Sequence, residues 1–217
     1  MRHVMSIPPV RSRRRRLAAL ALVGALAACA PPQLPRLGPD ARILAFGDSL
    51  THGTGAAPAE SYPAVLEQRL GRNVVPSGEP GELASGGRRR LPGVLDRVRP
   101  DLLILCHGGN DILRGRDPAA IRDDLEAMVR MARRRDVPVV LVGVPARGLF
   151  TDTASLYYQV AEDLGVPLED EALAAILTDP ALKSDSVHPN AAGYRRLAAA
   201  IHGLLAAAGA VASPADG

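Results

Sequence analysis

A three-layer α/β/α fold, with a parallel sheet between two layers of helices, is predicted by three features of the chain. Short apolar runs alternate with longer segments whose apolar residues recur at helical spacing. The runs are apolar throughout, as expected for strands covered on both faces. Glycine and proline separate the two kinds of segment, and strand–helix alternation of this kind favours a parallel sheet.

The predicted strands are short, and most end next to a glycine or a polar residue. Four apolar runs predict strands directly, and a fifth could form a short strand at the edge of the sheet. In chain order these segments are Arg42–Phe46, Asn73–Val75, Asp101–Cys106, Val137–Val144 and Val166–Leu168.

The predicted helices follow the strands one by one. Gly71 supplies a stop for the first of them, and Asp117 followed by Pro118 is typical of a helix start. The sequence does not fix the first residue of the second helix, because this segment contains Gly86, Gly87 and Pro92. The predicted helices are Ser61–Leu70, Leu83–Val98, one beginning at Pro118, Thr153–Leu164 and Pro189–Ala208.

The first 28 residues have the pattern of a targeting segment. Arginines from Arg11 to Arg16 precede the apolar stretch Leu17–Ala28, which is too short to span a bilayer as a helix. Leu26-Ala27-Ala28-Cys29 resembles the lipobox of bacterial lipoproteins, in which the cysteine is lipidated and becomes the first mature residue. An ordinary signal peptide with a chance cysteine, or an uncleaved anchor, is the alternative.

Removing this segment changes the charge of the protein. Residues 1–28 hold six arginines and no acidic residue, so the 26 basic residues of the whole chain fall to 20 against 23 acidic ones, a net charge of −3. This balance gives no indication of nucleic-acid binding. We expect a lipoprotein signal peptide over 1–28, a proline-rich tether over 29–40, one catalytic domain over 41–209 and a disordered tail over 210–217.

Three separate motifs carry chemically useful side chains. Ser49 follows the first strand in Gly-Asp-Ser-Leu, and Asn110 follows the third strand in Gly-Gly-Asn-Asp. Asp185 and His188 stand just before the last helix. A serine hydroxyl, a histidine base and a carboxylate that orients the base are the groups that serine acyl transfer needs, and an asparagine amide can stabilise the oxyanion.

These motifs are expected to meet at one edge of the sheet. Ligands of parallel α/β sheets bind beyond the carboxyl ends of the strands. Ser49, Asn110 and the glycines Gly78 and Gly81 each follow a strand, and Asp185 and His188 lie in the loop before the last helix. A plain turn at Gly47-Asp48-Ser49 and a metal site formed by nearby histidines are the alternatives. No metal-ligand spacing supports the metal site, and we expect no cofactor.

With these motifs the chain resembles the GDSL, or SGNH, hydrolase family, in particular its arylesterases and periplasmic thioesterase/lysophospholipases. The resemblance implies a flavodoxin-like sheet, Ser49 as nucleophile, His188 as base and Asp185 as its orienting partner. It also implies an oxyanion hole formed by the Ser49 and Gly81 N–H groups and the Asn110 side chain. Where the family usually has Gly-Asp-Thr, this chain has Gly81-Glu82-Leu83, so Gly78 remains an alternative to Gly81.

The expected function is hydrolysis of carboxylic esters through an acyl-serine. The substrates would be acyl esters, including lysophospholipids or thioesters, and acetyl groups of the cell wall or of polysaccharides are an alternative. A non-catalytic envelope lipoprotein that uses the fold for binding is the alternative of another class. Lipidated Cys29 would anchor the protein in the bacterial envelope. We expect the anchor to lie in the outer membrane, with the protein facing the periplasm.

Overall fold

A five-stranded parallel sheet forms the centre of the computed structural model, which describes residues 1, 3, 32–148 and 152–212. The strands lie in the order β2-β1-β3-β4-β5, the flavodoxin-like order predicted above. Their register is parallel throughout, with Gly47 opposite Gly78 and Cys106. The strand bounds are β1 Arg42–Gly47, β2 Asn73–Gly78, β3 Leu102–Cys106, β4 Val139–Val142 and β5 Leu168–Glu169.

Eight α-helices among the described residues flank this sheet. One group contains α2 and α7, both of which pack against α8, and another contains α3, α5 and α6, in which α5 contacts both neighbours. The helix bounds are α1 Ser49–His52, α2 Tyr62–Leu70, α3 Ala84–Val98, α4 Gly109–Leu113, α5 Pro118–Arg133, α6 Ser155–Leu164, α7 Ala172–Thr178 and α8 Ala191–Ala207.

The core lies between the sheet and the helices on each side. Every residue of β3 and β4 is buried, which explains why these strands are apolar throughout instead of alternating. The helices contribute one apolar stripe each, as in α5, where Ile121, Leu125 and Met128 are buried. The sheet is therefore held rigidly from both faces, and its carboxyl edge can carry a site of fixed geometry.

Local sequence signals account for most helix ends. Gly71 ends α2 in the left-handed region at φ 59°. Asp117 accepts a hydrogen bond from Ala119 N–H before α5, and Asn190 accepts one from Gly193 N–H before α8. Pro92 lies inside α3 and does not break it. The predicted elements are therefore present, with boundaries that shift by a few residues.

Short segments around the site were not predicted. Helices α1 and α4 begin immediately at the Gly-Asp-Ser and Gly-Gly-Asn motifs, and α7 fills the chain between β5 and the Asp185 loop. The fifth strand is Leu168–Glu169, displaced toward the carboxyl side of the predicted segment. Helices of this length have too few turns to give a recognisable apolar period.

Both predicted unstructured ends are partly packed against the domain. Leu34 N–H and Leu37 N–H donate to the carbonyl groups of Ala208 and Ala210, each at 2.8 Å. Leu37, Ala210 and Val211 are also buried. The prediction of an extended tether up to residue 40 and a disordered tail from 210 is wrong for these residues, because their backbone groups pair with one another and apolar side chains on both segments are buried. Residues 29–31 and 213–217 lie outside the described chain.

The targeting segment, including Cys29, also falls among residues that the structure does not describe. Within the described part of the chain, no helix has the length and hydrophobicity needed to cross a membrane.

Candidate active site

Ser49 is the first residue of α1, directly at the end of β1. The turn between them is tight: a Cβ on Gly47 would collide with the Cys106 carbonyl and with Thr51 Oγ1, so only glycine fits there. The buried Asp48 caps α1 by accepting a hydrogen bond from Leu50 N–H at 3.1 Å. The sequence Gly-Asp-Ser thus folds as a strand-to-helix turn that holds the serine at the edge of the sheet.

Asp185, His188 and Ser49 form a continuous chain of hydrogen bonds. The Nε2 of His188 lies 3.0 Å from Ser49 Oγ, and its Nδ1 lies 2.8 Å from Asp185 Oδ2. The other oxygen of Asp185 accepts from the N–H groups of Val187 at 2.8 Å and His188 at 2.9 Å. The carboxylate therefore fixes both the ring and the backbone of the histidine, and this is the geometry of a nucleophile, a base and an orienting group.

The loop that carries His188 packs against the loop after α1. A Cβ on Gly55, at φ 101°, would collide with Ser184 Oγ, so this glycine permits the two loops to touch. Tyr194 in α8 donates its hydroxyl to the Thr54 carbonyl at 2.8 Å. These contacts bring the base to the nucleophile across a long sequence separation.

Asn110 lies in the first turn of α4, beside Asp48 and the loop after β2. Its Nδ2 donates to the Glu82 carbonyl at 3.1 Å and to Asp48 Oδ2 at 3.3 Å. Both partners are acceptors, so the network assigns the amide orientation. Asn110 lines the same pocket as Ser49 and His188. The predicted side chains Ser49, Asn110, Asp185 and His188 are therefore brought together.

The two candidate oxyanion glycines have different surroundings. Gly78 is the last residue of β2 and lies against α1. A Cβ there would collide with His52 N and Asp48 O, so a glycine is needed for the strand and the helix to pack this closely. Gly81 lies in the loop after β2 at φ 78°, and its carbonyl accepts from Arg114 Nη2 at 3.3 Å. Gly81 adjoins Glu82, which contacts Asn110, but it does not line the pocket. The assignment of Gly81 to the oxyanion hole, with Gly78 as its alternative, stays a prediction.

Burial and hydrogen bonding shift the pKa values of acids around the site. Burial raises the pKa of Asp48, although His107 and the bond from Leu50 N–H oppose the shift. For Asp185, burial raises the pKa, but the hydrogen bonds from His188 and from the backbone outweigh it and lower the pKa below its ordinary value. Burial raises the pKa of the Cys106 thiol, which is fully enclosed and does not line the pocket.

The pocket beside Ser49 is walled mainly by aliphatic side chains. Asp48, Asn110 and His188 supply its polar edge next to the serine. No phenylalanine, tyrosine or tryptophan is found among the described residues that line it. The aliphatic wall consists of Leu50, Ile112, Leu113, Val144, Leu177 and Val187, together with Pro145.

A buried polar cluster behind the oxyanion loop was missed by the sequence reasoning. Arg90 and His107 both hydrogen-bond the Glu82 carboxylate, and His107 is completely buried. The only signal in the sequence was the replacement of Asp-Thr by Glu82-Leu83 after Gly81.

Residues 45–196 match the GDSL-like lipase/acylhydrolase family. The chain belongs to this family, whose members hydrolyse carboxylic esters. The matched range includes all three motifs that meet at the pocket.

Known relatives support the same assignment. The chain is 34% identical to esterase TesA of Pseudomonas aeruginosa over 47% of its own length and 53% of that protein, so this match spans about half of the esterase. It is 30% identical to an arylesterase of Vibrio mimicus over 68% of this chain and 80% of that protein. The crystal structure of AlinE4, an SGNH-hydrolase family esterase, superposes with a TM-score of 0.62 at 34% identity, covering 78% of this chain and 97% of AlinE4.

Proposed function

We propose that the protein hydrolyses carboxylic esters through an acyl-serine intermediate on Ser49. The observation that carries the proposal is the unbroken Asp185–His188–Ser49 hydrogen-bond chain, with contacts of 2.8 and 3.0 Å, opening into a pocket. A protein that used this fold only to bind a ligand would have no need for this alignment, so the alignment argues against a binding module.

In the first step Ser49 Oγ attacks the ester carbonyl while its proton passes to His188 Nε2. Asp185 accepts the Nδ1–H of the ring, which leaves Nε2 unprotonated and directed at the hydroxyl. The resulting imidazolium is stabilised by the carboxylate, whose pKa is lowered and which therefore remains charged. His188 then gives the proton to the departing alkoxide or thiolate.

The tetrahedral oxyanion needs hydrogen-bond donors, and Asn110 lies beside Ser49 in the pocket to supply one. Both N–H groups of the Asn110 amide have partners, and the contact to Asp48 at 3.3 Å is the longer one. We expect the oxyanion to take the N–H that faces Asp48, while the bond to the Glu82 carbonyl keeps the amide plane in place. The N–H groups of Ser49 and Gly81 complete the hole. One such donor is typically worth about 3 kcal/mol in the transition state.

Water then releases the acid from the acyl-serine. His188 accepts a proton from the water as it attacks the acyl carbonyl, and the same donors stabilise the second tetrahedral species. The proton finally returns to Ser49 Oγ as the acid leaves. No group beyond those already named is needed for this half of the reaction.

The pocket favours apolar acyl or alcohol groups. Its wall of leucine, isoleucine and valine side chains stabilises apolar substrate groups by removing them from water. The described lining residues include no phenylalanine, tyrosine or tryptophan on which a sugar ring could stack, so acetylated polysaccharide is less well matched than an acyl ester. Lysophospholipids and thioesters both present such an acyl chain to Ser49.

The proposed cellular location is the bacterial envelope, through a lipid on Cys29. The chain enters the domain at Leu34, which is bonded to Ala208 just beyond α8. His188 precedes the other end of α8, a helix of 17 residues and thus about 25 Å long. Residues 30–33 alone separate Cys29 from Leu34, so a lipid on Cys29 would tether the chain only a few residues before it enters the domain.

A panel of nitrophenyl esters of increasing acyl length tests the proposal. We expect hydrolysis by the wild type with a preference set by the apolar wall, and none by Ser49→Ala. A matched control is Ser85→Ala, which removes a serine hydroxyl from α3, outside the pocket lining. Hydrolysis by Ser49→Ala at the wild-type rate would contradict the proposed nucleophile.

A further inference from the structure

A half-buried ion cluster lies directly behind the loop that follows β2. The Glu82 carboxylate accepts hydrogen bonds from Arg90 Nη2 at 2.7 Å and from Arg90 Nε at 3.1 and 3.2 Å. The same guanidinium donates to Ser77 Oγ at 2.7 Å and to the Gly47 carbonyl at 3.1 Å, and it lies 4.1 Å above the centre of the Phe46 ring. Arg90 therefore connects the loop to the ends of β1 and β2.

His107 completes the cluster from the end of β3. Gly108 N–H donates to His107 Nδ1 at 3.0 Å, which places the ring proton on Nε2. That Nε2–H faces Glu82 Oε2 at 3.1 Å and donates to it. Gly87 makes room for the ring, because a Cβ there would collide with Nε2. The tautomer and position of His107 are thus fixed by its surroundings.

Glu82 is also the residue whose backbone meets Asn110. Its carbonyl accepts the shorter of the two hydrogen bonds from Asn110 Nδ2, at 3.1 Å. Gly81, the glycine predicted for the oxyanion hole, is its immediate neighbour. The side chain of Glu82 thus anchors the residue whose carbonyl contacts one donor, Asn110, and whose neighbour Gly81 carries the other.

Two other side-chain hydrogen bonds reach the loop near this point from the part of the chain that the structure describes. Asp111 Oδ2 accepts from Ala84 N–H at 2.8 Å, and Arg114 donates to the Gly81 carbonyl at 3.3 Å. Neither contact fixes the Glu82 carbonyl itself. The half-buried carboxylate, held from two directions, is the group best placed to set the position of the carbonyl.

We infer that Glu82 is a positioning residue for the oxyanion hole, which Arg90 and His107 hold so that its backbone orients the Asn110 amide and Gly81 N–H. The inference rests on the proposed acyl-serine mechanism. The cluster acts on the reaction through the Asn110 amide and the Gly81 N–H and does not touch the substrate.

The charge of Glu82 matters as well as its shape. Burial tends to raise its pKa, but hydrogen bonds from His107 and Arg90 and the charge of Arg90 outweigh this effect and lower the pKa to about 2. A glutamine at this position would turn an amide N–H₂ toward either Arg90 or His107, both of which are donors. The loop would then have to shift, and the Asn110 amide with it.

Steady-state kinetics of Glu82→Gln test the inference. Because misplacing a catalytic group by about 1 Å can cost up to about a hundredfold in rate, we expect kcat to fall by about tenfold to a hundredfold with KM changed less than about twofold. Glu79→Gln is the matched control, since Glu79 lies exposed in the same loop. Unchanged kcat in Glu82→Gln would overturn the inference.

A double-mutant cycle separates positioning from general structural damage. In an Asn110→Ala background, Glu82→Gln should lower kcat by a clearly smaller factor than in the wild type, because one of the two donors that it positions is gone and only the Gly81 N–H remains. A full additional loss in that background would overturn the inference. Should Glu82→Gln fail to fold, Glu82→Asp, which keeps the charge but shortens the reach, takes its place in the cycle with a smaller expected loss. Activity in Ser49→Ala would instead contradict the proposed function itself.

Discussion

The Nε2 of His188 lies 3.0 Å from the Oγ of Ser49, although 139 positions separate the two residues in the chain. The contact depends on two separate loops, one that follows a strand and one that precedes a helix. Ser49 begins α1 at the end of β1, and His188 stands just before α8. The parallel sheet makes the encounter possible because both loops lie at its carboxyl edge.

Removing either member of this pair should abolish catalysis without unfolding the protein. We expect Ser49→Ala and His188→Ala each to lose ester hydrolysis, because each removes a group that the covalent step needs. The double variant should be hardly worse than either single variant, since the residues act as a unit. Progress curves on a nitrophenyl ester measure the loss, and thermal unfolding checks the fold.

Asn110→Ala should slow the reaction without weakening substrate binding. The contact that it removes strengthens only as the oxyanion forms, so we expect kcat to fall by roughly 10²–10³ with little change in KM. Steady-state kinetics over a range of substrate concentrations separate the two constants. A large rise in KM at constant kcat would make Asn110 a substrate-binding group instead.

Acid should destabilise the wild type more steeply than Glu82→Gln. The pKa of Glu82 is lowered from 4.5 to about 2 in the folded protein, so the stability it contributes is present above pH 4.5 and is lost as the pH falls toward 2. Solvent screening reduces the contribution of Glu82 to the free energy of unfolding, because this side chain is only half-buried. Urea unfolding at several pH values measures the slope, and equal slopes in both proteins would contradict this expectation.

Gly47→Ala should lower the free energy of unfolding because the new methyl group would meet the Cys106 carbonyl. Overpacking of this kind costs about 1–3 kcal/mol. Gly93→Ala is the matched control, since Gly93 is exposed in α3 with open space where the Cβ would lie. Replacing a helical glycine by alanine at such a site should raise stability by about 0.5–1 kcal/mol. Denaturant unfolding distinguishes the two outcomes.

Cys29→Ser should release the enzyme from membranes or leave an unprocessed precursor. One acyl chain binds a membrane only marginally, so stable anchoring needs more than one chain on Cys29. Ester hydrolysis per folded molecule should be unchanged, because Leu34 enters the domain at the far end of α8 from His188. Mass spectrometry of the N-terminal peptide provides the check. An unmodified Cys29 would refute the anchor and leave the hydrolase proposal standing.

The sheet and the meeting of the motifs could be predicted because both follow from short-range patterns. Apolar runs such as Leu102–Cys106 identify buried strands, and residues that follow parallel strands must share one edge. The turn that holds Asp185 and His188 could also be predicted from neighbouring residues. Pro189 disfavours helical geometry at His188, so the pair is expected in a turn before the helix.

The parts that escaped prediction depend on contacts between distant residues. Nothing local distinguishes Arg90 from its two neighbouring arginines, and only the fold turns it toward Glu82 and Phe46. Leu34 and Leu37 stand among prolines that suggest an extended tether, yet the end of α8 offers them backbone and apolar partners. Such pairings become visible only when the tertiary structure is known.

Covalent labelling of the nucleophile tests the central claim most directly. The intact protein would be treated with an alkyl fluorophosphonate, which reacts with an activated serine hydroxyl, and the modified peptide identified by mass spectrometry. We predict one adduct, on Ser49, with the reaction abolished in Ser49→Ala and greatly slowed in His188→Ala. An enzyme that hydrolyses esters while Ser49 remains unlabelled, or that carries the adduct on another residue, would contradict the account.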